Sequence, residues 1–170
     1  MDRMAQAVEA GKVRAVGVSN FTAEQMRRAA ARLTRYDIPL AANEVHYSLV
    51  HRQPEVNGVL DACRELHVAL VAYYPLEAGR LQSKEPSSPS IGAKQEGELR
   101  KTLTGIANKR GKSVSQVALN WLLRRDTHVI PIPGATSARH VLENVDTLSW
   151  ELADEEFAAI DQASFPLHHE

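Results

Sequence analysis

Cysteine is nearly missing from this sequence. Cys63 is the only one, which excludes an internal disulfide and a cysteine-rich zinc site and fits a reducing compartment. Long apolar runs are missing as well. Charge interrupts every apolar stretch well before the ~18 residues that a membrane helix needs, and the opening MDRMAQAVEAGK has no apolar signal-peptide core. Neither sign of charge dominates. A net charge of −1 with both signs interspersed leaves no electrostatic footprint for nucleic acid or an anionic membrane. Two cofactor signatures are also absent. There is no G-x-G-x-x-G, and no tyrosine has a lysine four residues later, which argues against a Rossmann fingerprint and against the short-chain dehydrogenase arrangement. No histidine, cysteine or carboxylate pattern has metal-ligand spacing, so no metal is expected. These absences lead to the expectation of a cytoplasmic protein, with an organelle left open should the natural N-terminus lie further upstream, and of no nucleic-acid or membrane partner.

What is present is a 170-residue chain, 44% hydrophobic, with enough apolar content for one domain. Four β-branched runs stand out: VRAVGVS from Val13, AANEVHY from Ala41, VALVAYY from Val68 and HVIPIPG from His128. Each precedes a helical pattern, as in β-α units of a parallel sheet. Val13, Ala41 and Ala69 fall 28 residues apart, room for one strand, one helix and two loops. Thr22 to Gln25 and Ser113 to Gln116 read as capping boxes, the first opening a helix to about Leu33. Pro54 suits a first helical turn, with Val56, Val59, Leu60 and Cys63 on one buried face. Val117, Ala118, Trp121 and Leu122 repeat that spacing. Val141, Leu142, Val145 and Leu148 form a shorter stripe, and a last helix is expected near Asp154. The segment 83–97, rich in Ser, Pro, Gly and charge, reads as a flexible loop before a helix from about Glu98. His168 and His169 are expected to be solvated. Four β-α units are half of a (β/α)8 barrel, which needs ~250 residues. The expected class is therefore α/β, half of a TIM barrel in a single domain.

Active sites of such barrels sit at the C-terminal ends of the strands. Those ends here are Gly17-Val18-Ser19-Asn20-Phe21, Asn43-Glu44-Val45-His46-Tyr47-Ser48, Ala72-Tyr73-Tyr74-Pro75-Leu76 and Ile132-Pro133-Gly134-Ala135-Thr136. Amide and hydroxyl groups, an aromatic ring and a helix N-terminus gather on one rim, a set suited to a flat polar ring attached to a phosphate. Taken alone, Ser19 and Asn20 read equally well as a capped turn.

GKVRAVGVSNF, the segment NEVHYSL with Arg52, Pro54 and Glu55 behind it, AYYPL, and IPGATSARHVLENV resemble the successive motifs of the aldo-keto reductases. They come in that family's order and spacing over essentially the whole chain. The resemblance implies the C-terminal half of the barrel and NADP(H) as cofactor. By that resemblance, Ser19 and Asn20 hydrogen-bond the nicotinamide carboxamide, with Glu44 as a third contact where the family usually has Gln. A carboxylate there can accept but not donate, and favours the cationic NADP+ ring somewhat over NADPH. Tyr73 stacks under the nicotinamide, and Tyr74 replaces the more usual Ser. Leu76 and Ala78 approach the pyrophosphate, with Glu77 between them, where its carboxylate repels phosphate unless it points away. Gly134 and Thr136 approach the 2′-phosphate at a helix N-terminus, Arg139 and His140 add charge, and Glu143 and Asn144 reach the adenine. The Lys or Arg that the family often has near Thr136 is absent.

The family's parent reaction moves a hydride between NADPH and an aldehyde or ketone, and needs a proton donor for the developing alkoxide. The tetrad that performs this lies in the family's first half-barrel, and no segment here matches it, so no residue is assigned as catalytic and the chain alone is expected to be inactive. The expected substrate of the full-length enzyme is a small carbonyl compound. Two exposed edge strands, the first and the fourth, are expected to invite self-association. The alternative is a non-catalytic half-barrel that binds NADP(H) or pairs with a partner. Half of another phosphate-binding barrel, such as a sugar-phosphate isomerase, fits the Ser-Asn and Tyr-Pro-Leu segments less well.

Overall fold

In the computed structural model, residues 1–82 and 92–164 are described. Segment 83–91 of the expected loop and the pair His168 and His169 lie outside the described residues. Among these residues β1 (Val16–Ser19), β2 (Leu40–His46), β3 (Ala69–Tyr73) and β4 (Val129–Pro131) form one parallel sheet in the order β1-β2-β3-β4. All four expected strands are present, and β1 and β4 are its edges.

Strand side chains alternate between two faces, and the two faces differ sharply. Val16, Asn43, Val45, Leu70, Ala72 and Val129 are buried under helices. Gly17, Ser19, Glu44 and Ile130 on the opposite face are exposed, and Ala42, Ala69 and Val71 are half-buried. In a closed barrel this second face would line the interior. Small residues let the strands approach there. A Cβ added at Gly17 would come within 3.2 Å of the Ala42 carbonyl oxygen.

Both capping boxes form. After the opening helix α1 (Asp2–Glu9) and β1, Thr22 Oγ1 accepts from the Gln25 amide at 3.3 Å and Gln25 Oε1 accepts from the Thr22 amide at 2.9 Å, opening α2 (Ala23–Leu33). Ser113 and Gln116 do the same ahead of the helix Val114–Arg125. The helix expected from Pro54 is instead two pieces, α3 (Gln53–Val56) and α4 (Val59–Leu66). Between them Gly58 sits at φ +79°, open to glycine and hostile to most residues. Asn57 Oδ1 accepts from the Val59 amide to restart the helix. Val56, which closes the first piece, is therefore 55% exposed, while Val59, Leu60 and Cys63 are buried. Burial pushes the Cys63 thiol up to about 11, so it is packing material, as expected, and not a nucleophile.

The next helix, α5 (Gly92–Arg110), starts about six residues earlier than its sequence suggests. Its first turns are anchored through Glu96, which is buried and accepts from Arg80 outside the helix and from Arg100 one turn further along it. Leu99 and Leu103 then bury one face. After α6 (Val114–Arg125) come α7 (Ala138–Asp146) and α8 (Asp154–Ser164). Asn120 on α6 ties these together. Its Nδ2 donates to the Thr147 and Trp150 carbonyls, and its Oδ1 accepts from the Leu152 amide. The expected stripe on and after α7 is present and faces outward. Val141, Leu142, Val145 and Leu148 are 50–72% exposed, because periodicity shows that a helix has an apolar face but not that anything covers it. Among the described residues no helix is long and apolar enough to cross a membrane.

Candidate functional site

The strand ends converge as the β-α reading requires. At the end of β1, Asn20 adopts a left-handed φ of +56°, a conformation Asn tolerates better than most residues. Its amide donates to the Glu44 carbonyl at 2.8 Å, and Ser19 Oγ donates to the same oxygen at 3.1 Å. Asn20 Nδ2 donates to Ser19 Oγ at 3.3 Å, and the Tyr73 hydroxyl donates to Asn20 Oδ1 at 3.2 Å. Ser19, Asn20, Glu44 and Tyr73 thus form one connected rim over three strands, with Glu44 beside Ser19 in the strand register.

Tyr73 is the wall shared by two cavities. The larger, about 590 Å³, runs from the end of β3 to the start of α7. It is lined by Tyr73, Leu76, Ala78, Gly134, Thr136, His140, Glu143 and Asn144, all expected at a cofactor site, and by Tyr74, Pro75, Gly79, Ser115 and Ile132, which were not. Its size falls within the ~300–1,000 Å³ of small-ligand pockets. At its far end the Ser137 hydroxyl accepts from the His140 amide and caps α7, while Thr136 Oγ1 and His140 Nδ1 lie 3.3 Å apart. The helix dipole and first-turn amides there favour an anion. Arg139 is drawn aside. Its side chain is 76% exposed and pairs with Glu143 along the helix. The smaller cavity, about 280 Å³, lies between Asn20, Tyr73, His46, His51 and the turn at Gln53 and Pro54.

Glu77 resolves the repulsion its position raised. Its carboxylate is turned back onto β2, where Oε1 lies 2.6 Å from His46 Nε2 and accepts from Ser48 Oγ at 2.6 Å. His46 and His51 stack at 3.9 Å, and burial lowers the basicity of His51, with His46 adding to the effect. This cluster had no sequence signature, because His46 and Glu77 come from different β-α units. Tyr47 is buried with its hydroxyl donating to Glu55. Burial holds its phenol far above the usual range, so it is no proton donor for a substrate. Among the described residues no group of three or more His, Cys, Asp or Glu is arranged to hold a metal ion.

Comparison with known proteins gives a consistent result. A family model described as the aldo/keto reductase family matches residues 1–164. The chain is 35% identical to the chloroplastic pyridoxal reductase of Arabidopsis thaliana, over 96% of this chain and 47% of that protein. It is 32% identical to L-glyceraldehyde 3-phosphate reductase of Escherichia coli K12, over 94% and 51% respectively. Among solved structures, an aldo-keto reductase from Klebsiella pneumoniae in complex with NADPH superposes with a TM-score of 0.75 at 33% identity, over 95% of this chain and 51% of that one. A Bombyx mori aldo-keto reductase in complex with NADP superposes with a TM-score of 0.70 at 31% identity, over 94% and 48%. The chain spans about half the length of the relatives it matches.

Proposed function

Because the chain belongs to the aldo/keto reductase family, we propose that it is the cofactor-holding half of an NADP(H)-dependent carbonyl reductase barrel. The observation that carries this is the larger cavity, where residues from β3, the turn behind β4 and α7 meet around one face of Tyr73. In this reading Tyr73 stacks against the nicotinamide, and Ser19 and Asn20 hold its carboxamide, the pair offering both donors and acceptors. Leu76 and Ala78 flank the pyrophosphate. Glu77 does not repel it, since its carboxylate is committed to His46 and Ser48. Gly134, Thr136 and His140 meet the 2′-phosphate at the start of α7, with Glu143 and Asn144 toward the adenine. A bound NADPH supplies the hydride for a carbonyl carbon. The chain's own part is to orient the ring and exclude water from one side of it. No residue here is assigned the proton transfer, and the substrate is an aldehyde or ketone of unassigned identity.

Titration of NADPH into the purified protein, followed by nicotinamide fluorescence, is expected to saturate. Tyr73→Ala should weaken binding about tenfold or more, the loss of an aromatic stacking surface of ~1–3 kcal/mol. Absence of saturable binding, or binding indifferent to Tyr73→Ala, would count against the reading.

The open sheet face and the exposed Leu142, Val145, Leu148 and Ile130 favour a second reading beside it, a half-barrel that pairs through these surfaces. Apolar patches of this kind are commonly covered. The purified chain is expected to show concentration-dependent association in sedimentation velocity. Leu142→Lys combined with Leu148→Lys should reduce it without lowering the unfolding temperature. A monomer at all concentrations would remove this reading and leave the cofactor site untouched.

A further inference from the structure

The Tyr73 ring has company on the side of the smaller cavity. His46 lies 5.4 Å from it, centroid to centroid, with the planes only 14° apart, and His51 continues the series at 3.9 Å and 7° from His46. Three near-parallel rings therefore run from the second cavity to the wall of the first. His46 and Tyr73 are register neighbours on β2 and β3, so a change in the tilt of one ring is felt by the other.

His46 is clamped at its edge. Glu77 Oε1 lies 2.6 Å from His46 Nε2, within hydrogen-bond distance, and so holds the edge of the ring. The same carboxylate oxygen accepts from Ser48, which is fully buried and whose hydroxyl oxygen accepts from the amides of Val50 and His51. Glu77 reaches this position through an unusual turn. Tyr74, Glu77 and Ala78 all have φ near +50°, with Gly79 at +86°. Left-handed conformations at non-glycine residues cost free energy and persist where the surroundings demand them. Here the turn delivers one carboxylate to one imidazole. His46 keeps 28% of its side-chain exposure, so burial of apolar surface does not account for the arrangement.

We propose that His46 and Glu77 are positioning residues for the nicotinamide end of the cofactor site, fixing the ring against which Tyr73 leans and hence the tilt of Tyr73 toward the bound nicotinamide. This rests on the cofactor reading given above. It also predicts a division within the ligand, because the pair acts on the nicotinamide end and lies away from the start of α7. Adenosine 2′,5′-bisphosphate carries the adenine and 2′-phosphate without nicotinamide, so it probes the other end alone.

The test is the affinity of wild type, His46→Ala, Glu77→Ala and Glu77→Gln for NADPH and for adenosine 2′,5′-bisphosphate, by calorimetry. His46→Ala and Glu77→Ala should each weaken NADPH about three- to tenfold, the scale of one aromatic pair, while the bisphosphate changes by less than about twofold. Glu77→Gln, which keeps a hydrogen-bond partner for His46 Nε2, should recover most of the loss. Equal weakening of both ligands would make the pair a structural staple of the turn and overturn the proposal, as would unchanged NADPH affinity in both alanine variants. If Tyr73→Ala loses NADPH while these variants do not, only the positioning role fails. If the wild type does not bind NADPH at all, the cofactor reading falls and this role with it.

Discussion

Replacing Arg52 with methionine should cost about 3–5 kcal/mol of folding free energy, the usual penalty for leaving the partners of a buried ion pair uncompensated. Arg52 is 2% exposed. Its guanidinium donates through Nε and Nη2 to both oxygens of Glu55 at 2.5 and 2.7 Å, and through Nη1 to Ser164 Oγ at 2.9 Å. Nη2 also lies 2.7 Å from Asp161. The charge sits 4.8 Å over the Trp121 ring, itself stacked on Phe157. One side chain thus joins the loop before α3 to α6 and to α8, far apart in sequence. Burial alone would raise the Glu55 carboxyl. Arg52, with Tyr47 and Arg125, outweighs it and holds that group below the usual carboxylate range. Methionine fills much of the volume but leaves Glu55 to Tyr47 and Arg125 alone. Since domains are stable by only ~5–15 kcal/mol, the variant should show a much lower urea midpoint with an unchanged slope. If it does not fold, Arg52→Lys, which keeps the charge but not the fork, should show an intermediate loss. A double cycle with Glu55→Gln should return a coupling well above ~1 kcal/mol. A cost under that for Arg52→Met would mean the network behaves like a surface pair.

The parts of this molecule legible in its sequence are those decided locally. Thr22 and Gln25, or Ser113 and Gln116, are three residues apart, and the bonds they make lie within that span. The four strands follow from β-branched runs, and their order follows from the short β-α connections. Cys63 was legible as core because its stripe contained Leu60 and Val59 as well. The break at Gly58 is a limit case. The apolar spacing ran across it without interruption, and only the glycine, with Asn57 before it, marked the change of axis.

Distance along the chain explains the rest. Arg52 was noted as part of a motif, but nothing local says that it meets Ser164. Asn120 reads as an ordinary polar residue on a helix until Thr147, Trp150 and Leu152 fold over it. The rim residues were foreseeable because a parallel β-α fold brings the ends of successive strands together, whatever the helices do. What could not be foreseen was orientation. Arg139 turns along its own helix to Glu143, and Glu77 turns onto His46 through a turn in which Tyr74, Glu77, Ala78 and Gly79 take left-handed φ. The α7 stripe was legible as a pattern, but its exposure was not, since periodicity does not show what covers a face.

Acid should weaken this protein through Glu156 in particular. The carboxylate is 6% exposed and accepts from Arg110 at 2.6, 3.0 and 3.1 Å, from Lys109 at 3.2 Å and from the Ala153 amide at 3.0 Å. The Arg110 contact chiefly, against the opposing effect of burial, brings its pKa down to about 2 from an ordinary 4.5. The folded value lies below the unfolded one, so the unfolded chain takes up the proton first. The stabilisation is complete above about pH 4.5 and is lost as pH falls toward about 2. At pH 3 the loss from this group alone should be about 1–2 kcal/mol, once the ~1.4 kcal/mol per pKa unit is discounted for the solvent around Lys109 and Arg110. Glu156→Gln cannot titrate. It should be less stable than wild type at pH 7 and should approach it by that amount at pH 3, and 1 M salt should narrow the gap at pH 7 by screening the cations. Urea midpoints of both proteins at pH 7, 4 and 3 would show the convergence. Parallel pH curves would mean that α8 is held on α5 by its apolar face, Phe157 and Ile160 included, and that the charges there contribute little.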